Sequence, residues 1–505
     1  MKKLYISTLA ATLLFAVSCQ TDFENSTEDV VVTSGEANFS KYVSLGNSLT
    51  SGYRDGALYI DGQNQSYPSM LAGQMKLAGG GEFKQPMMPN NTGGFVGLPG
   101  FGGKYTLQVV SGSLSPVQSA AAAALDNIAS GGPYQNMGVP GAKSFHLVAP
   151  GYGSAANLSV GAANPYFVRF ATSASTSVLA DAMAQRPTFF SLWIGANDVL
   201  SYATSGGLGV DQKGNTNPAT YGSNDISDPN VVAASIKGVL DGLKSVGATK
   251  GVIANIPYVS SVPYFTTVPY NPLTPAALGA NLATLNTSLY GPLKQALTAF
   301  GAGDRINLLS STSANPVLIK DTSLTNLSAQ LTAALTPSLG AATAAAFGQI
   351  FGQARQATSE DYVLLPASSI IAKPNASAPA AINVNGVSYP LENQYVLTKA
   401  EAALVTAAVD AYNTSITSLA SSYGLALVDA KAKMIELNST SGIQWDGVKY
   451  NAKFVTGGAF SLDGVHPTGR GYGIIANEFL KAINKTYKSN LPMVSPNSYS
   501  GVTFP

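Results

Sequence analysis

Three short runs constrain the fold more than any other feature of this chain. Lys41–Gly46 (KYVSLG), Thr188–Ile194 (TFFSLWI) and Gly251–Ile256 (GVIANI) are apolar segments, and each reads as a buried strand. Arg305–Leu309 (RINLL) and Gly424–Val428 (GLALV) read the same way. Helical patterns lie between them. Within Asn230–Val246, Ile236, Val239, Leu240 and Leu243 fall on one helical face. Thr398 and Glu401 form a capping-box pattern ahead of Leu404, Ala408 and Tyr412. Tyr472, Ile475, Phe479 and Ile483 share one face of a last helix. Strands alternating with helices predict an α/β fold, with a parallel sheet covered on both faces.

The 505 residues exceed what such a sheet needs. Gly79–Tyr105, crowded with Gly and Pro, and Ser205–Asn230, rich in Gly, Asn and Asp, read as long loops. Thr312–Gln356 is rich in Ala, Thr and Ser and reads as helical packing beside the core. One domain of about 450 residues, with insertions near 79–105, 205–230 and 312–395, accounts for the length. Composition excludes several classes. Lys and Arg number 28 against 27 Asp and Glu, so no basic excess supports nucleic-acid binding. One Cys rules out a Cys₄ zinc site and a disulfide framework. Apolar residues at 45% rule out a disordered acidic chain.

The N-terminus reads as an address. Lys2 and Lys3 precede the mostly apolar Leu4–Val17, which is too short to span a bilayer and suits a signal-peptide core over residues 1–18. Ala16-Val17-Ser18-Cys19 then resembles the lipobox of bacterial lipoproteins, whose Cys becomes the lipidated N-terminus, although Ala16 stands where a Leu is usual. An ordinary secretory signal with an incidental Cys is the alternative. Removing residues 1–18 takes two lysines and no acid, which leaves 26 bases against 27 acids. Gln20–Asn38 carries five acids and no base and reads, with Cys19, as a solvated tether. Acids soon after the lipid Cys resemble surface-export signals of Bacteroidota lipoproteins. The implied location is the outer membrane, facing either the periplasm or the cell surface.

Three motifs carry chemistry. Gly46-Asn47-Ser48-Leu49 directly follows the first strand, which places the Ser48 hydroxyl at the carboxyl end of the sheet, where open α/β sheets put their sites. A Ser capping the next helix gives the same pattern. Gly195-Ala196-Asn197-Asp198 ends the strand containing Trp193, where an Asn side chain can donate to an oxyanion; the same residues also make an ordinary turn. Asp463-Gly464-Val465-His466-Pro467 precedes the last helix. Its spacing of three lets Asp463 fix the His466 tautomer while the other ring nitrogen faces a serine. His146 is the only other histidine. It sits in an apolar setting that suits a core or interface residue.

Together, in this order, the motifs resemble the SGNH (GDSL-type) hydrolase family. A fourth block, Tyr134-Gln135-Asn136-Met137-Gly138-Val139-Pro140-Gly141-Ala142, is similar to the family's glycine block. Gln63–Ala72 and Ile253–Phe265 look like the family's Bacteroidota lipoprotein branch. The resemblance implies a three-layer α/β/α, flavodoxin-like domain over residues 39–505. It implies Ser48 as nucleophile, His466 as general base and acid, and Asp463 as the residue that orients His466. The backbone N–H groups of Ser48 and Gly141 and the Asn197 side chain would form the oxyanion hole, with Gly138 the less suited glycine. It implies no metal and no organic cofactor. Where the family tetrad has Asp, this chain has Asn47, so the neighbour of the nucleophile is uncharged.

The implied activity is hydrolysis of carboxylic esters, with lipid or short-chain acyl esters as substrates. A carbohydrate O-acetylesterase also suits a surface lipoprotein. A reading from another class is a non-catalytic surface protein that binds glycan or another ligand through its 24 Tyr and 19 Phe. Phe95, Leu98 and Phe101 of the Gly/Pro-rich stretch are candidates for acyl contact, and a plain surface loop is the alternative reading of that stretch.

Overall fold

The computed structural model describes residues 31–110 and 112–505. The signal segment, Cys19 and residues 20–30 lie outside the described residues. In chain order, β1 (Tyr42–Gly46) leads into the one-turn helix α1 (Ser48–Ser51), then α2 (Tyr67–Lys76) and β2 (Asn136–Gly138). Next come α3 (Val178–Ala184), β3 (Phe189–Trp193), α4 (Asn197–Thr204), α5 (Pro229–Ser245) and β4 (Gly251–Ala254). After an insertion holding α6 (Ser328–Leu339) and α7 (Ala341–Phe351) follow α8 (Lys399–Ser422), β5 (Ala426–Val428), α9 (Ala430–Asn438) and α10 (Gly469–Tyr487).

The five strands form one parallel sheet in the order β5-β4-β3-β1-β2. β1 is flanked on both sides: Gly46 lies opposite Trp193 of β3 and Gly138 of β2. The motif-bearing strand ends therefore meet at one carboxyl edge. Side chains alternate between two cores. Val43, Leu45, Phe190 and Leu192 face Ile236 and Leu240 of α5 and Tyr412 and Ile416 of α8. Tyr42, Phe189 and Trp193 face Tyr67 and Leu71 of α2 and Phe479 and Leu480 of α10. The Tyr67 and Phe479 rings stack with centroids 4.5 Å apart. Helices thus cover both faces, because each strand presents an apolar row to each side.

Local chemistry starts the helices where the patterns predict. Asp228 accepts from the N–H groups of Asn230 and Val231 at the start of α5, and Pro229 occupies its first turn. The Thr398–Glu401 capping box is present at α8. Two strand expectations differ. Arg305–Leu309 is not a strand; Ile306 and Leu309 are buried in a separate core, away from the five-stranded sheet. Asn136–Gly138 is a strand, although three residues with a polar first member carry no periodic signal.

That separate core belongs to the insertion, which is larger than its Ala-rich part suggests. Buried residues from Val268 to Val396 pack together, among them Tyr290, Leu318, Leu331, Phe351 and Leu391. Arg355 pairs with Asp321 and Asp361, and Asp361 also accepts from the Lys399 N–H at 2.9 Å. This network fastens the insertion to the start of α8. Near the N-terminus, the described part of the acidic tether is docked rather than solvated. The Glu36 N–H donates to the Tyr487 carbonyl at 2.7 Å, the Glu36 carboxylate pairs with Lys488, and Ala37 is buried.

Candidate active site

Ser48 owes its position to Asn47. Asn47 lies between β1 and α1, its side-chain oxygen accepts from the Leu49 N–H at 3.0 Å, and its carbonyl accepts from Thr50 and Ser51. An aspartate could accept the same bond, but here the buried position carries no charge. A side chain at Gly46 would collide with Thr50 and with the Trp193 carbonyl. The strand end is therefore packed too tightly for any other residue.

The structure brings Ser48, His466 and Asp463 together across 418 residues of sequence separation. His466 Nε2 lies 2.9 Å from Ser48 Oγ. His466 Nδ1 lies 2.9 Å from Asp463 Oδ2. The loop that carries both is closed on itself: Asp463 Oδ1 accepts from the N–H groups of Val465 and His466 at 2.9 and 2.8 Å. Burial alone would raise the Asp463 carboxyl, but the facing His466 and these backbone donors outweigh it and hold the carboxyl below its ordinary range. Asp463 is therefore a carboxylate at neutral pH.

Sequence reading did not reach the second layer around this loop. Gly56 donates its N–H to Asp463 Oδ2 at 2.9 Å. Asp55 accepts from the Leu462 N–H and donates its own N–H to Ser461 Oγ, both at 2.9 Å. The Tyr53 ring lies 4.8 Å from the imidazole of His466. No local pattern marks these residues, because their partners are about 400 positions away.

Two further blocks meet beside the triad. Asn197 Nδ2 donates to the Ala142 carbonyl at 3.0 Å, which places this side chain against the Gly141–Ala142 turn. Asp198 is wholly buried and accepts from Ser144 through both its N–H and its hydroxyl. Burial, offset in part by Ser144, leaves the Asp198 carboxyl above its ordinary range. Asn164 Nδ2 holds the Pro140 carbonyl at 2.7 Å. Among the described residues, the backbone N–H groups of Ser48 and Gly141 have no protein acceptor. Gly138 is packed against Ser51, and its N–H donates to Asn136, so Gly141 is the glycine of this block with a free donor.

His146 stands outside the triad. Its ring stacks on Tyr152 at 4.4 Å, and Nδ1 accepts from the Lys143 N–H at 3.0 Å. Burial first, then Lys143, lowers its pKa to about 4, so it is neutral at pH 7.

Ser48 opens into one pocket, and a second space lies beside Gly141. The pocket, of about 70 Å³, is bounded by Ser48, His466, Asn197 and apolar residues including Ile256 and Val262. On the Gly141 side lies an open cleft of about 1040 Å³, whose lining includes Lys143, Tyr152, Asn164 and Tyr221. Phe101 borders this cleft, whereas Phe95 and Leu98 pack against the Tyr166 cluster and touch neither space. The expectation of acyl contact from Phe95 and Leu98 is not met, because their stretch folds into a small core of its own. Among the described residues, no group of three or more His, Cys, Asp or Glu could hold a metal ion.

No protein-family model matches the chain, and no curated protein matches it.

Proposed function

We propose that this chain is a serine hydrolase that cleaves carboxylic esters. The observation that carries the proposal is the Ser48–His466–Asp463 alignment, with both hydrogen bonds at 2.9 Å. It is the arrangement that nucleophilic acyl transfer requires. The motif order supports the resemblance to SGNH (GDSL-type) hydrolases, and the lipobox-like segment supports a lipid-anchored outer-membrane location.

In the proposed mechanism, Ser48 Oγ attacks the ester carbonyl carbon and its proton passes to His466 Nε2. The carbonyl π electrons move onto oxygen. Asp463 keeps Nδ1 protonated and stabilises the imidazolium. The Ser48 and Gly141 N–H groups and Asn197 Nδ2 receive the oxyanion. When the carbonyl re-forms, the C–O bond to the alcohol breaks and the leaving oxygen takes the proton from Nε2. Water, deprotonated by His466, then attacks the acyl-serine, and the acid leaves with Ser48 regenerated.

A carbohydrate O-acetylesterase is a second reading of the same triad. The wide cleft beside Gly141 favours it, since a sugar alcohol would fit there within reach of Lys143, Asn164 and Tyr221. Hydrolysis of p-nitrophenyl esters and of acetylated polysaccharide by the chain and by Ser48→Ala tests both. Turnover lost in Ser48→Ala is expected. Full activity in that variant would remove the proposal, and Ser48-dependent release of acetate from the polysaccharide alone would select the second reading.

A further inference from the structure

A second pocket adjoins the one at Ser48. Leu49, Pro257, Val262 and Val465, which bound the Ser48 pocket, also bound this almost wholly apolar cavity of about 110 Å³. Leu49 follows the nucleophile and Val465 precedes His466, so the two spaces share a wall at the reacting atoms. The second cavity runs beneath α9 and α10, past Ala430, Met434 and Ile474. Its charged residues are Lys433 and Glu478, paired with each other at 3.2 Å.

We propose that this cavity is the acyl channel and that the natural substrate is an ester of a medium- or long-chain fatty acid. This rests on the hydrolase reading and names its substrate class. An aliphatic chain attached to the carbonyl at Ser48 is the occupant that the chemistry selects. The lining offers it no hydrogen-bond donors or acceptors short of the ion pair, so a polar chain entering there would lose its water without compensation. An acetyl group would leave the channel empty. The wider cleft beside Gly141, whose wall includes Lys143, Asn164 and Tyr221, is left for the alcohol half of the ester.

The test compares p-nitrophenyl acetate, butyrate and octanoate with the full chain, Met434→Trp and Ala430→Phe. Both substitutions add bulk inside the channel, away from the triad. For the unsubstituted chain, kcat/KM should rise by about fourfold per methylene between acetate and octanoate. Either variant should lower octanoate turnover at least about tenfold and leave acetate turnover unchanged, which also shows that it is folded. Acetate preference in the unsubstituted chain, or octanoate turnover untouched in both variants, would overturn the proposal. Calorimetric binding of decanoate to Ser48→Ala separates this from the hydrolase reading. Binding that Met434→Trp abolishes upholds the channel even without turnover, and no binding at all overturns it even if short esters are cleaved.

Discussion

One oxygen of Asp463 accepts from two donors that come from opposite ends of the chain. His466 Nδ1 and the Gly56 N–H each lie 2.9 Å from Oδ2. The carboxylate is thus fixed relative to β1 as well as to its own loop, and the imidazole it orients is held over Ser48. Asp463→Asn keeps the size of the group but can present an N–H where an acceptor is needed. Its kcat should fall by about 10⁴-fold with an unchanged circular dichroism spectrum. A loss below tenfold would show that the carboxylate does not set the tautomer.

Gly56 has φ +74, and a Cβ there would lie 2.5 Å from the Tyr105 ring. Gly56→Ala should cost more than about 1 kcal/mol and also lower kcat, because the N–H that holds Asp463 shifts. Gly79→Ala is the control. Gly79 also has positive φ, at +82, but nothing lies within 4 Å of its Cβ position. Its substitution should cost about 1 kcal/mol with kcat unchanged. Urea melts paired with esterase assays separate the two.

Asn197 touches the Ala142 carbonyl with one N–H and has a second free to point at substrate. Asn197→Ala should lower kcat by about 10²–10³-fold and change KM little, since an oxyanion donor acts mainly in the transition state. A change confined to KM would assign Asn197 to ground-state binding instead.

Asp198 works on the loop, not on substrate. Asp198→Ala leaves the buried N–H and hydroxyl of Ser144 without their acceptor, at a cost of about 1–3 kcal/mol, and frees the turn that carries Gly141. Stability and kcat should both drop. Intact thermal stability in this variant would contradict the role.

His146 makes stability depend on acid pH. Its folded pKa of about 4 lies below the ordinary value of 6.5, so between these two the unfolded chain binds the extra proton. Stability is then full above about pH 6.5, falls as pH drops toward 4, and loses on the order of 3 kcal/mol in all. His146→Gln should flatten that part of the Tm-against-pH curve, and an unchanged slope would assign the loss to other groups.

Much of this was legible locally. The runs around Val43, Leu192 and Ile253 are apolar on both faces, so burial on both faces followed from composition alone. The Asp463–His466 spacing and the Thr398–Glu401 cap are complete within four residues, and so is the turn that exposes Ser48. Such features depend on bonds between neighbours, and a sequence displays neighbours. The tertiary structure alone decided the rest. Asn136–Gly138 is a strand because β1 offers it an edge, whereas Ile306 and Leu309 of Arg305–Leu309 are buried in the insertion core instead. Gly56 met Asp463, Asp198 met Ser144, and Leu49, Val262 and Val465 came together beside an apolar cavity, all through contacts between distant segments. The amino-acid order holds no local trace of such meetings, because what selects them is the packing of two faces of one sheet.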